Sequence, residues 1–492
     1  MLPSLARLLT AACALATTAR AVTPLEVDGK DFVNPKTKER FQVIGVDYQP
    51  GGSSGFSEKD DPLSDKNACI RDAAIMQNLG INTIRIYNLS PDLNHNECAS
   101  IFNAAGIYMI LDVNSPLIGG SLNRVKPWES YNPVYMQQVF GIIESFSAFP
   151  NVLGFFSGNE VINEDSAYLA PAYVRAVQRD MKDYLSKHAD RSIPIGYSAA
   201  DVRNVLSDTA HYFQCELKNS TDSRSDFFGL NSYSWCGNST YKESGYDVLT
   251  NKFTDASLPV IFSEYGCNEI QPRYFTEVQA LYSKKMSQAF SGGLVYEYTQ
   301  EQNDYGLVKI NDNGTVTLMM DYYNLQAQYE KLDMSRIEAS NVTQTSVKPA
   351  KCSHDLISDS GFLDSFDLPE RLDSIQKLID NGLKDAKKAE LVDVSSTTIP
   401  QTVYDYKGNK VTGLKMTVLE GDQVNAPGEN TSGSTSGGGG SSGNGGNGGN
   451  GSNGGNSGNS GNGNGDKKNA GTKATGSLFL GVLSVVLATF ML

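Results

Sequence analysis

The sequence predicts an α/β fold, a (β/α)8 barrel over residues 22–332, and three observations support that prediction. Eight short apolar runs of strand type follow one another in this range. Segments with apolar residues at helical spacing lie between most of these runs. Nearly every run ends in polar or charged side chains, as barrel strands do at the face that carries the chemistry. Open doubly wound sheets also alternate strands and helices, so the count of eight and the polar ends favour the barrel.

Each predicted element rests on its own pattern of apolar residues. The eight predicted strands are 41–50, 82–89, 107–115, 151–160, 194–201, 227–235, 259–266 and 293–301. The helix-like segments between them are 65–79, 133–149, 166–187 and 272–290. In the first of these segments, Ile70, Ala73 and Met76 recur at the spacing of one helical face.

The two ends of the chain carry the patterns of processing signals. Residues 1–21 resemble a secretory signal peptide, with a short apolar stretch and small residues at the predicted cleavage point. Residues 469–492 resemble the signal for a glycosylphosphatidylinositol (GPI) anchor, because a small polar spacer precedes an apolar stretch that reaches the last residue. Asn469 is the expected attachment residue, with Asn462 and Asn464 as alternatives. A tail-anchored membrane helix is the other interpretation of this stretch.

Two further regions lie between the barrel and the C-terminal signal. Residues 333–429 are predicted to form a small C-terminal subdomain with one helix at 368–389. The apolar stripe of that helix consists of Leu372, Ile375, Leu378, Ile379 and Leu383. Residues 430–468 are almost entirely Gly, Asn and Ser, so they are predicted to be a disordered, flexible stalk. The protein is therefore expected on the outer face of the plasma membrane through its GPI anchor, or in the cell wall.

Cysteines, sequons and charge agree with a secreted protein. The cysteines that remain after removal of the signal are Cys69, Cys98, Cys215, Cys236, Cys267 and Cys352. Six in an oxidising compartment predict three disulfides, and the sequence alone leaves fifteen pairings open. The expected N-glycosylation sites are Asn219, Asn238, Asn313, Asn341 and Asn430. Asn88 also fits, but Pro91 after its sequon disfavours modification. The formal charge of −14 argues against nucleic acid as a partner, and no Cys-x-x-Cys pair suggests a metal.

Polar and aromatic side chains at the strand ends predict a carbohydrate-binding cleft. In a barrel the carboxyl ends of all eight strands face one bowl. Carboxylates, amides and tyrosine hydroxyls bond sugar hydroxyls, and aromatic rings stack on the faces of pyranose rings. Candidate residues of these kinds include Gln49, Arg85, Tyr87, Asp112, Asn159, Asp201, Tyr233 and Tyr296.

Two glutamates at strand ends are the candidate catalytic pair. Glu160 ends the fourth predicted strand, directly after Asn159, and Glu264 ends the seventh. This placement resembles the large clan of retaining barrel glycosidases, in which the two carboxyl groups lie about 5–5.5 Å apart. Glu160 is then the acid/base and Glu264 the nucleophile. Arg85 is expected to favour the charged form of Glu264, and a tyrosine such as Tyr233 or Tyr296 is expected to orient it.

Seven motifs, taken in order, make a more specific resemblance. They are Gly-Val-Asp-Tyr-Gln-Pro-Gly at 45–51, Thr-Ile-Arg-Ile-Tyr at 83–87, Leu-Asp-Val-Asn at 111–114, Phe-Ser-Gly-Asn-Glu at 156–160, Gly-Leu-Asn-Ser-Tyr-Ser-Trp-Cys-Gly at 229–237, Phe-Ser-Glu-Tyr-Gly-Cys at 262–267 and Ser-Gly-Gly-Leu-Val-Tyr-Glu-Tyr at 291–298. Together with the terminal signals, they resemble the fungal GPI-anchored β-1,3-glucanosyltransferases of glycoside hydrolase family 72. The resemblance covers residues 25–332.

The resemblance implies an activity and a set of site residues. Members of the family cut an internal β-1,3-glucan bond with retention and pass the new reducing end to the non-reducing end of another glucan chain. Implied sugar contacts are Tyr87, Asn159, Asp201, Arg203 and Tyr296, with Gln49, Asp112 and Tyr233 as further wall residues. Arg203 departs from the usual spacing of the family. The implied disulfides are Cys69–Cys98, Cys215–Cys352 and Cys236–Cys267. No cofactor is implied, and the chain is expected to act as a monomer.

One part of the family pattern is missing, and two other functions stay open. Residues 333–429 contain a single cysteine, so the Cys-rich carbohydrate-binding module of some members is absent. A plain endo-β-1,3-glucanase would have the same fold and carboxylates, with water as acceptor. Tyrosines at 233, 265, 296 and 298 suggest an aromatic acceptor subsite, which favours sugar over water. A non-catalytic glucan-binding wall protein would not need both Glu160 and Glu264.

Overall fold

The structure, a computed structural model, describes residues 21–218, 222–339 and 347–435. The predicted signal peptide, except for its last residue, lies outside the described residues. The sequons at Asn219 and Asn341 lie outside them too. So do the predicted GPI signal and nearly all of the predicted stalk, including the candidate attachment residues Asn462, Asn464 and Asn469.

A small antiparallel sheet closes one end of the barrel. Its strands are β1 (Glu26–Asp28), β2 (Asp31–Val33) and β3 (Arg40–Phe41). Two phenylalanine rings of this sheet are buried against aromatic residues at the starts of barrel strands. The ring centroids of Phe32 and Phe227 lie 5.7 Å apart, and those of Phe41 and Tyr108 lie 5.1 Å apart. Apolar side chains therefore fill this end of the barrel, which leaves the opposite end for polar groups.

Eight parallel strands form a closed barrel, which confirms the predicted fold. The strands are β4 (Val43–Asp47), β5 (Thr83–Ile86), β6 (Tyr108–Asp112), β7 (Val152–Asn159), β8 (Ile195–Ala200), β9 (Phe227–Asn231), β10 (Val260–Tyr265) and β11 (Gly292–Val295). They pair in chain order, and β11 pairs with β4 to close the ring. Each predicted strand overlaps one observed strand, and only β11 begins before its prediction, by one residue. The observed strands end earlier than predicted, because their last residues belong to the loops of the bowl.

The helices surround the barrel and connect its strands. They are α1 (Gly52–Gly55), α2 (Lys66–Leu79), α3 (Asn96–Ala104), α4 (Pro127–Ser130), α5 (Pro133–Phe146), α6 (Pro171–His188), α7 (Leu206–Gln214), α8 (Tyr246–Phe253), α9 (Glu277–Leu281), α10 (Met320–Tyr329), α11 (Met334–Ile337) and α12 (Asp373–Asn381). Short 3-10 turns occur at Asp165–Ala167, Met286–Gln288 and His354–Leu356. Asp65 accepts from the Asn67 N–H at the start of α2. Asn132 caps α5, with Pro133 at its first position.

Two of the helix predictions differ from the structure. The segment predicted at 166–187 becomes a helix only at Pro171, after the 3-10 turn. The segment predicted at 272–290 is wrong as one helix, since only α9 and a 3-10 turn occur there. Arg273 explains the difference, because its backbone N–H donates to Asp321 and its side chain bonds the carbonyl oxygens of Gly266 and Tyr296. These bonds hold the start of the segment as a loop over the barrel.

The segment after the barrel packs along the outside of the barrel and shares a sheet with the hairpin that follows the last barrel strand. The described residues up to 435 belong to one compact unit. An outer sheet joins β12 (Val308–Ile310), β13 (Val316–Leu318), β14 (Val403–Tyr404), β15 (Lys410–Thr412) and β16 (Ser434–Thr435). Because β13 and β14 pair directly, this sheet combines strands from the predicted barrel region and from the predicted subdomain. The prediction of a disordered stalk from residue 430 was wrong for its first residues, because β16 pairs with β15.

Helix α12 attaches that segment to α5 and α6. Ile375 and Ile379 of the predicted apolar stripe are fully buried, while Leu372 is exposed. The helix is shorter than the predicted span of 368–389, because Gly382 takes a positive φ of 70° at its end. The Tyr184 hydroxyl then accepts from the Leu383 N–H, which holds the chain after the helix.

Three disulfides join the cysteines, in the pairing that the family resemblance implies. They are Cys69–Cys98, Cys215–Cys352 and Cys236–Cys267. The second attaches the segment after the barrel to the end of α7, and the buried Arg175 guanidinium lies 3.3 Å from both of its sulfur atoms. The third joins the loops that follow β9 and β10, beside the bowl.

Other surface features bear on the predictions from sequence. Asn238 and Asn313 are exposed, Asn430 is half-buried, and Asn88 is buried. Among the described residues, no helix is both long enough and apolar enough to cross a membrane.

Removing the Cys215–Cys352 bond is expected to destabilise the fold more than removing the Cys69–Cys98 bond. The two bonds span 137 and 29 residues, and the chain-entropy account gives losses of about 5 and about 4 kcal/mol respectively. Urea unfolding of Cys215→Ser/Cys352→Ser and of Cys69→Ser/Cys98→Ser, each against the wild type, measures both losses. An unchanged unfolding midpoint in the first variant would contradict the structural role of that bond.

Candidate active site

Glu264 is buried at the centre of the bowl and is held by three donors. Its side chain lies at the end of β10 and the residue is 8% exposed. The Tyr87 hydroxyl donates to Oε1 at 2.9 Å, and the Tyr233 hydroxyl donates to Oε2 at 2.7 Å. Arg85 Nη1 also reaches Oε1 at 3.3 Å. Both oxygens of this carboxylate therefore receive hydrogen bonds, which fixes the orientation of the group.

The pKa of Glu264 reflects opposing effects. Burial raises it to about 7, and the nearby charge of Glu160 adds to this increase. Arg85 and the hydroxyls of Tyr233 and Tyr87 act in the opposite direction, because they stabilise the ionised form. The nucleophile candidate is thus an ionisable carboxyl whose charge depends on its three donors.

Arg85 and Asp112 form a buried ion pair behind this carboxylate. Asp112 accepts from Arg85 Nε at 3.0 Å and from Nη2 at 2.9 Å. Arg85 is fully buried, and its guanidinium also lies over the rings of Tyr87 and Phe156. Because Asp112 uses both oxygens on Arg85 and is itself buried, its contacts assign it to positioning Arg85 rather than to the cleft wall.

Glu160 lies on the other side of the bowl in a network of amides and hydroxyls. Asn231 donates from Nδ2 to Glu160 Oε1 at 2.8 Å and to Asn159 Oδ1 at 3.1 Å. Ser198 donates to Asn159 Oδ1 at 2.8 Å. Glu160 has a φ of 49°, in the left-handed region, and is half-buried. Asn231 has no assigned role in the sequence interpretation, although it ends the sixth strand with a polar side chain.

Four tyrosines form an aromatic wall around Glu264. Tyr233 and Tyr296 lie 6.2 Å apart, Tyr296 and Tyr305 lie 5.1 Å apart, and Tyr87 lies 6.4 Å from Tyr296, all in edge-to-face arrangements. Tyr305 comes from the loop after β11, and no pattern in the sequence marks it as a site residue. Arg273 supports this loop through the carbonyl oxygens of Tyr296 and Tyr305.

Two tyrosines that suggested an acceptor subsite do not line the bowl. Tyr265 and Tyr298 are fully buried. The Tyr265 hydroxyl lies 3.2 Å from that of Tyr329 on α10, and the Tyr298 hydroxyl donates to Asp72 on α2 at 2.7 Å. Tyr265 points away from the bowl because adjacent residues of a strand face opposite sides, and its neighbour is Glu264. The prediction for these two residues was therefore wrong.

The remaining candidates lie at the rim of the bowl. Gln49 is buried, and its Oε1 accepts from the backbone N–H groups of Tyr87 and Asn88. Asp201 accepts from the Ser232 hydroxyl at 2.8 Å and pairs with Arg203 at 2.7 Å. Arg203 is exposed. The structure thus brings Asp201 and Arg203 together as one charged pair at the edge.

Two further buried carboxyls lie beside the nucleophile candidate, and no role follows for them from the sequence. Asp47 ends β4 and is fully buried; burial raises its pKa well above the ordinary value. Glu297 follows β11 and accepts from Asn303 at 2.8 Å; burial raises its pKa to about 7. The charge of Glu264 raises the pKa of both carboxyls further.

One group of possible metal ligands lies near the bowl, but its two cysteines are not free to bind a metal. Among the described residues, the group with suitable spacing is Cys236, Cys267 and Glu269. Its two thiols are joined in a disulfide, so they do not offer thiolate ligands. The chemistry that this site can perform rests on carboxyls, tyrosines and amides. Two carboxyls facing each other across a cleft, one of them fixed by cationic and hydroxyl donors, suit acid/base and nucleophilic attack on a glycosidic bond.

Comparisons with known proteins agree with this geometry. The family model of glycoside hydrolase family 72, described as "Glucanosyltransferase", matches residues 14–333. The 1,3-beta-glucanosyltransferase gel2 of Aspergillus fumigatus is 67% identical over 88% of this chain and 91% of its own. The probable 1,3-beta-glucanosyltransferase GAS3 of Saccharomyces cerevisiae is 45% identical over 84% of this chain and 82% of its own.

A solved structure is similar over the same region. Gas2p of Saccharomyces cerevisiae in complex with laminaripentaose has a TM-score of 0.65 and 38% sequence identity, over 72% of this chain and 78% of that one. On the family match and on these identities, the chain belongs to the glucanosyltransferase family, glycoside hydrolase family 72.

Proposed function

We propose that this protein is a retaining β-1,3-glucanosyltransferase that lengthens or joins β-1,3-glucan chains. The observation that carries the proposal is the carboxylate of Glu264, which is held by Arg85, Tyr87 and Tyr233 and whose pKa is raised by burial and further by the charge of Glu160. Glu160 at the end of the fourth barrel strand supplies an acid/base and Glu264 at the end of the seventh supplies a nucleophile, the two groups that glycosidic-bond cleavage with retention requires. The separation of the two carboxyl groups is expected to be about 5–5.5 Å.

The first step cleaves a glycosidic bond of the donor glucan. Glu160 gives its proton to the glycosidic oxygen, and that oxygen leaves with the reducing-end fragment of the glucan. Glu264, ionised, attacks the anomeric carbon and forms a glycosyl ester, so one C–O bond breaks as another forms. Asn159 is positioned by Ser198 and Asn231, and it bonds the sugar 2-hydroxyl, a contact that strengthens in the transition state.

The second step transfers the retained chain. Glu160, now ionised, takes the proton of an acceptor hydroxyl, and the acceptor oxygen attacks the anomeric carbon. The ester bond to Glu264 breaks, and a new β-1,3 bond forms with the original configuration. Transfer to a sugar is faster than hydrolysis by water when the acceptor is bound and oriented. The wall of Tyr233, Tyr296 and Tyr305 supplies ring faces that can bind the acceptor in this way.

The remaining polar residues of the bowl supply contacts to donor and acceptor sugars. Tyr87 and Tyr296 are half-buried, so they present part of their surface to a ligand. Gln49 is buried and acts on the cleft through the backbone, because its oxygen accepts from the N–H groups of Tyr87 and Asn88. The pair of Asp201 and Arg203 extends the polar surface to the rim.

The site of action follows from the ends of the chain. The signal at residues 1–21 directs secretion, and the signal at 469–492 is replaced by a GPI anchor at Asn469. The protein then acts at the outer face of the plasma membrane, close to cell-wall glucan. The glucan contacts proposed here are those of the barrel cleft.

Product analysis tests the transferase activity directly. Residues 22–435 are incubated with one purified β-1,3-linked gluco-oligosaccharide, and the products are resolved by mass. Products longer than the input are expected, because the acceptor competes with water for the glycosyl-enzyme. Products that are only shorter would make the protein a hydrolase, and unchanged substrate would leave it a glucan-binding protein.

Substitution of the two glutamates is expected to affect the first step of the reaction in different ways. Glu160→Gln is expected to lower kcat/KM on β-1,3-glucan by about 10²–10⁴, the usual contribution of a general acid/base, and Glu264→Gln by at least as much. A donor with a fluoride leaving group needs no proton, so it is expected to restore the first step in Glu160→Gln but not in Glu264→Gln. Glu277→Gln, a buried glutamate outside the bowl, is the matched control. Equal restoration in both variants would contradict the assigned roles.

The acid limit of activity is expected to depend on the hydroxyl of Tyr233. Because burial raises the pKa of Glu264 to about 7, the carboxyl is protonated and unreactive below that pH, and kcat/KM is expected to rise with pH through this range. Tyr233→Phe removes a bond to the ionised form, so the acid limb should move to higher pH by about one unit. Tyr184→Phe removes a similar hydroxyl bond to Glu144, outside the bowl, and should leave the limb in place. Equal pH profiles for Tyr233→Phe and the wild type would contradict this origin of the acid limit.

A further inference from the structure

Arg273 is a buried arginine behind the aromatic wall, and its guanidinium bonds the backbone of two wall residues. It lies in the loop after β10. Nη1 donates to the carbonyl oxygen of Tyr296 at 2.7 Å and to that of Gly266 at 3.2 Å, and Nη2 donates to the carbonyl oxygen of Tyr305. One side chain therefore joins the loop after β10 to both ends of residues 296–305, which we call the wall segment.

Helix α10 holds Arg273 from outside the barrel. Arg273 Nε donates to the Asp321 carboxylate at 2.7 Å, and the Arg273 backbone N–H donates to the same group at 3.1 Å. The Asn324 side chain donates to the carbonyl oxygen of Arg273 at 2.8 Å. Because Arg273 and Asp321 are both buried, solvent does not screen this ion pair as it screens pairs at the surface. Arg273 is thus fixed to α10, and its guanidinium fixes the wall segment in turn.

Other bonds between the two loops lie at the surface. Asn268 Nδ2 donates to the carbonyl oxygen of Asn303 at 2.8 Å, and Gln271 Nε2 donates to that of Asp304 at 3.0 Å. Gln271, Asn303 and Asp304 are exposed, so water competes for these bonds. The buried bonds of Arg273 are therefore the stronger support of the wall segment.

The bonds that hold the Glu264 carboxylate come from other residues. Its donors are Arg85, Tyr87 and Tyr233. Arg273 acts instead on Tyr296 and Tyr305, which are half-buried and have ring centroids 5.1 Å apart. A change at Arg273 is thus expected to affect the wall more than the nucleophile.

We propose that Arg273 is a positioning residue that determines how the glycosyl-enzyme divides between transfer and hydrolysis. A sugar acceptor reacts efficiently only when it is bound and oriented, whereas water needs no bound ring. Fixed positions of Tyr296 and Tyr305 therefore favour the sugar, and a loose wall segment favours water. An arginine suits this role because its planar fork of N–H groups bonds several oxygens at once, which a lysine ammonium does not match. The inference rests on the proposed transferase function.

The ratio of transfer to hydrolysis tests this role. Arg273→Gln and Arg273→Lys are each incubated with one β-1,3-linked gluco-oligosaccharide in water labelled with oxygen-18, which marks the products of hydrolysis. Both variants are expected to lower the ratio about tenfold, equivalent to about 1.4 kcal/mol, the scale of one hydrogen bond. Loss of folded enzyme lowers both products equally, so a merely structural role leaves the ratio unchanged. A wild-type ratio in Arg273→Gln, or in Arg273→Lys, which keeps the charge without the fork, would overturn the proposal.

A milder variant tests the same loop contact if the Arg273 variants do not fold. Asn268→Ala/Gln271→Ala removes the surface bonds to the wall segment and leaves the buried pair of Arg273 and Asp321 intact. It is expected to lower the ratio about twofold to threefold, as weaker bonds should. An unchanged ratio in this variant would contradict the need for a fixed wall segment.

Arg191→Gln is the matched control. Arg191 also donates to two backbone carbonyl oxygens, those of Phe149 at 2.9 Å and Val152 at 2.7 Å. These residues lie at the start of β7, at the end of the barrel opposite the bowl. The ratio is expected to stay at the wild-type value, and a fall equal to that in Arg273→Gln would overturn a specific role for Arg273.

Sugar binding separates this inference from the proposed transferase activity. Calorimetry measures the affinity of the inactive Glu160→Gln variant for a β-1,3-linked oligosaccharide long enough to span the bowl. Adding Arg273→Gln is expected to raise the Kd about tenfold. If the wild type makes no products longer than its substrate, the transferase proposal fails. An unchanged Kd would overturn the positioning role of Arg273, whichever reaction the wild type performs.

Discussion

The buried ion pair of Arg85 and Asp112 is the interaction on which the rest of the site depends. A buried guanidinium is costly unless its charge and its N–H groups are satisfied, and Asp112 satisfies two nitrogens in bidentate geometry. The remaining bonds reach the backbone of β10 and the Glu264 carboxylate. The Arg85 side chain therefore connects β5, β6 and β10, and it places a positive charge beside Glu264, the proposed nucleophile. Removing either partner would leave the other charge buried and unpaired, so the pair belongs to the barrel as much as to the chemistry.

The closed barrel explains why so many ionisable groups are buried in one place. The small N-terminal sheet and its phenylalanines fill one end with apolar side chains. Polar strand ends are thereby collected at the other end, where Asp47, Glu160, Glu264 and Glu297 share a small volume. Burial raises the pKa of three of them, and of these three only Glu264 accepts direct hydrogen bonds from Arg85 and from two tyrosine hydroxyls. These bonds favour the charged form of Glu264, which is the form that the proposed nucleophile needs.

The sequence was sufficient for the parts of the structure that depend on short-range patterns. All eight strands were located, because each is a short apolar run bounded by polar residues, and the catalytic candidates were found because they follow such runs. The sequence was not sufficient where long-range contacts determine the local structure. Residues 272–290 have helical spacing, yet the bonds of Arg273 to Gly266 and Tyr296 hold the start as a loop. Tyr305 reaches the site only when loops from different strands meet, and no local pattern marks it. Asn231 ends the sixth barrel strand with a polar side chain, but its bond to Glu160 depends on the fold.

Residues 347–435 illustrate the same limit on a larger scale. The apolar stripe of α12 was visible in the sequence, but its partners on α5 and α6 were not. The pairing of β13 with β14 joins segments about ninety residues apart into one sheet, so a boundary at residue 332 does not separate two bodies. The single cysteine of this region, Cys352, attaches it to α7. This segment therefore supports the barrel from outside.

The most direct test of the account is to trap the glycosyl-enzyme and identify its attachment residue. A β-1,3-linked oligosaccharide donor with fluorine at C2 and a fluoride leaving group forms the covalent intermediate quickly and releases it slowly. After digestion, mass spectrometry should find the sugar on the peptide that contains Glu264, in a one-to-one ratio with the protein. Attachment to another residue, or turnover with inverted configuration and no trapped intermediate, would contradict a retaining mechanism with Glu264 as nucleophile.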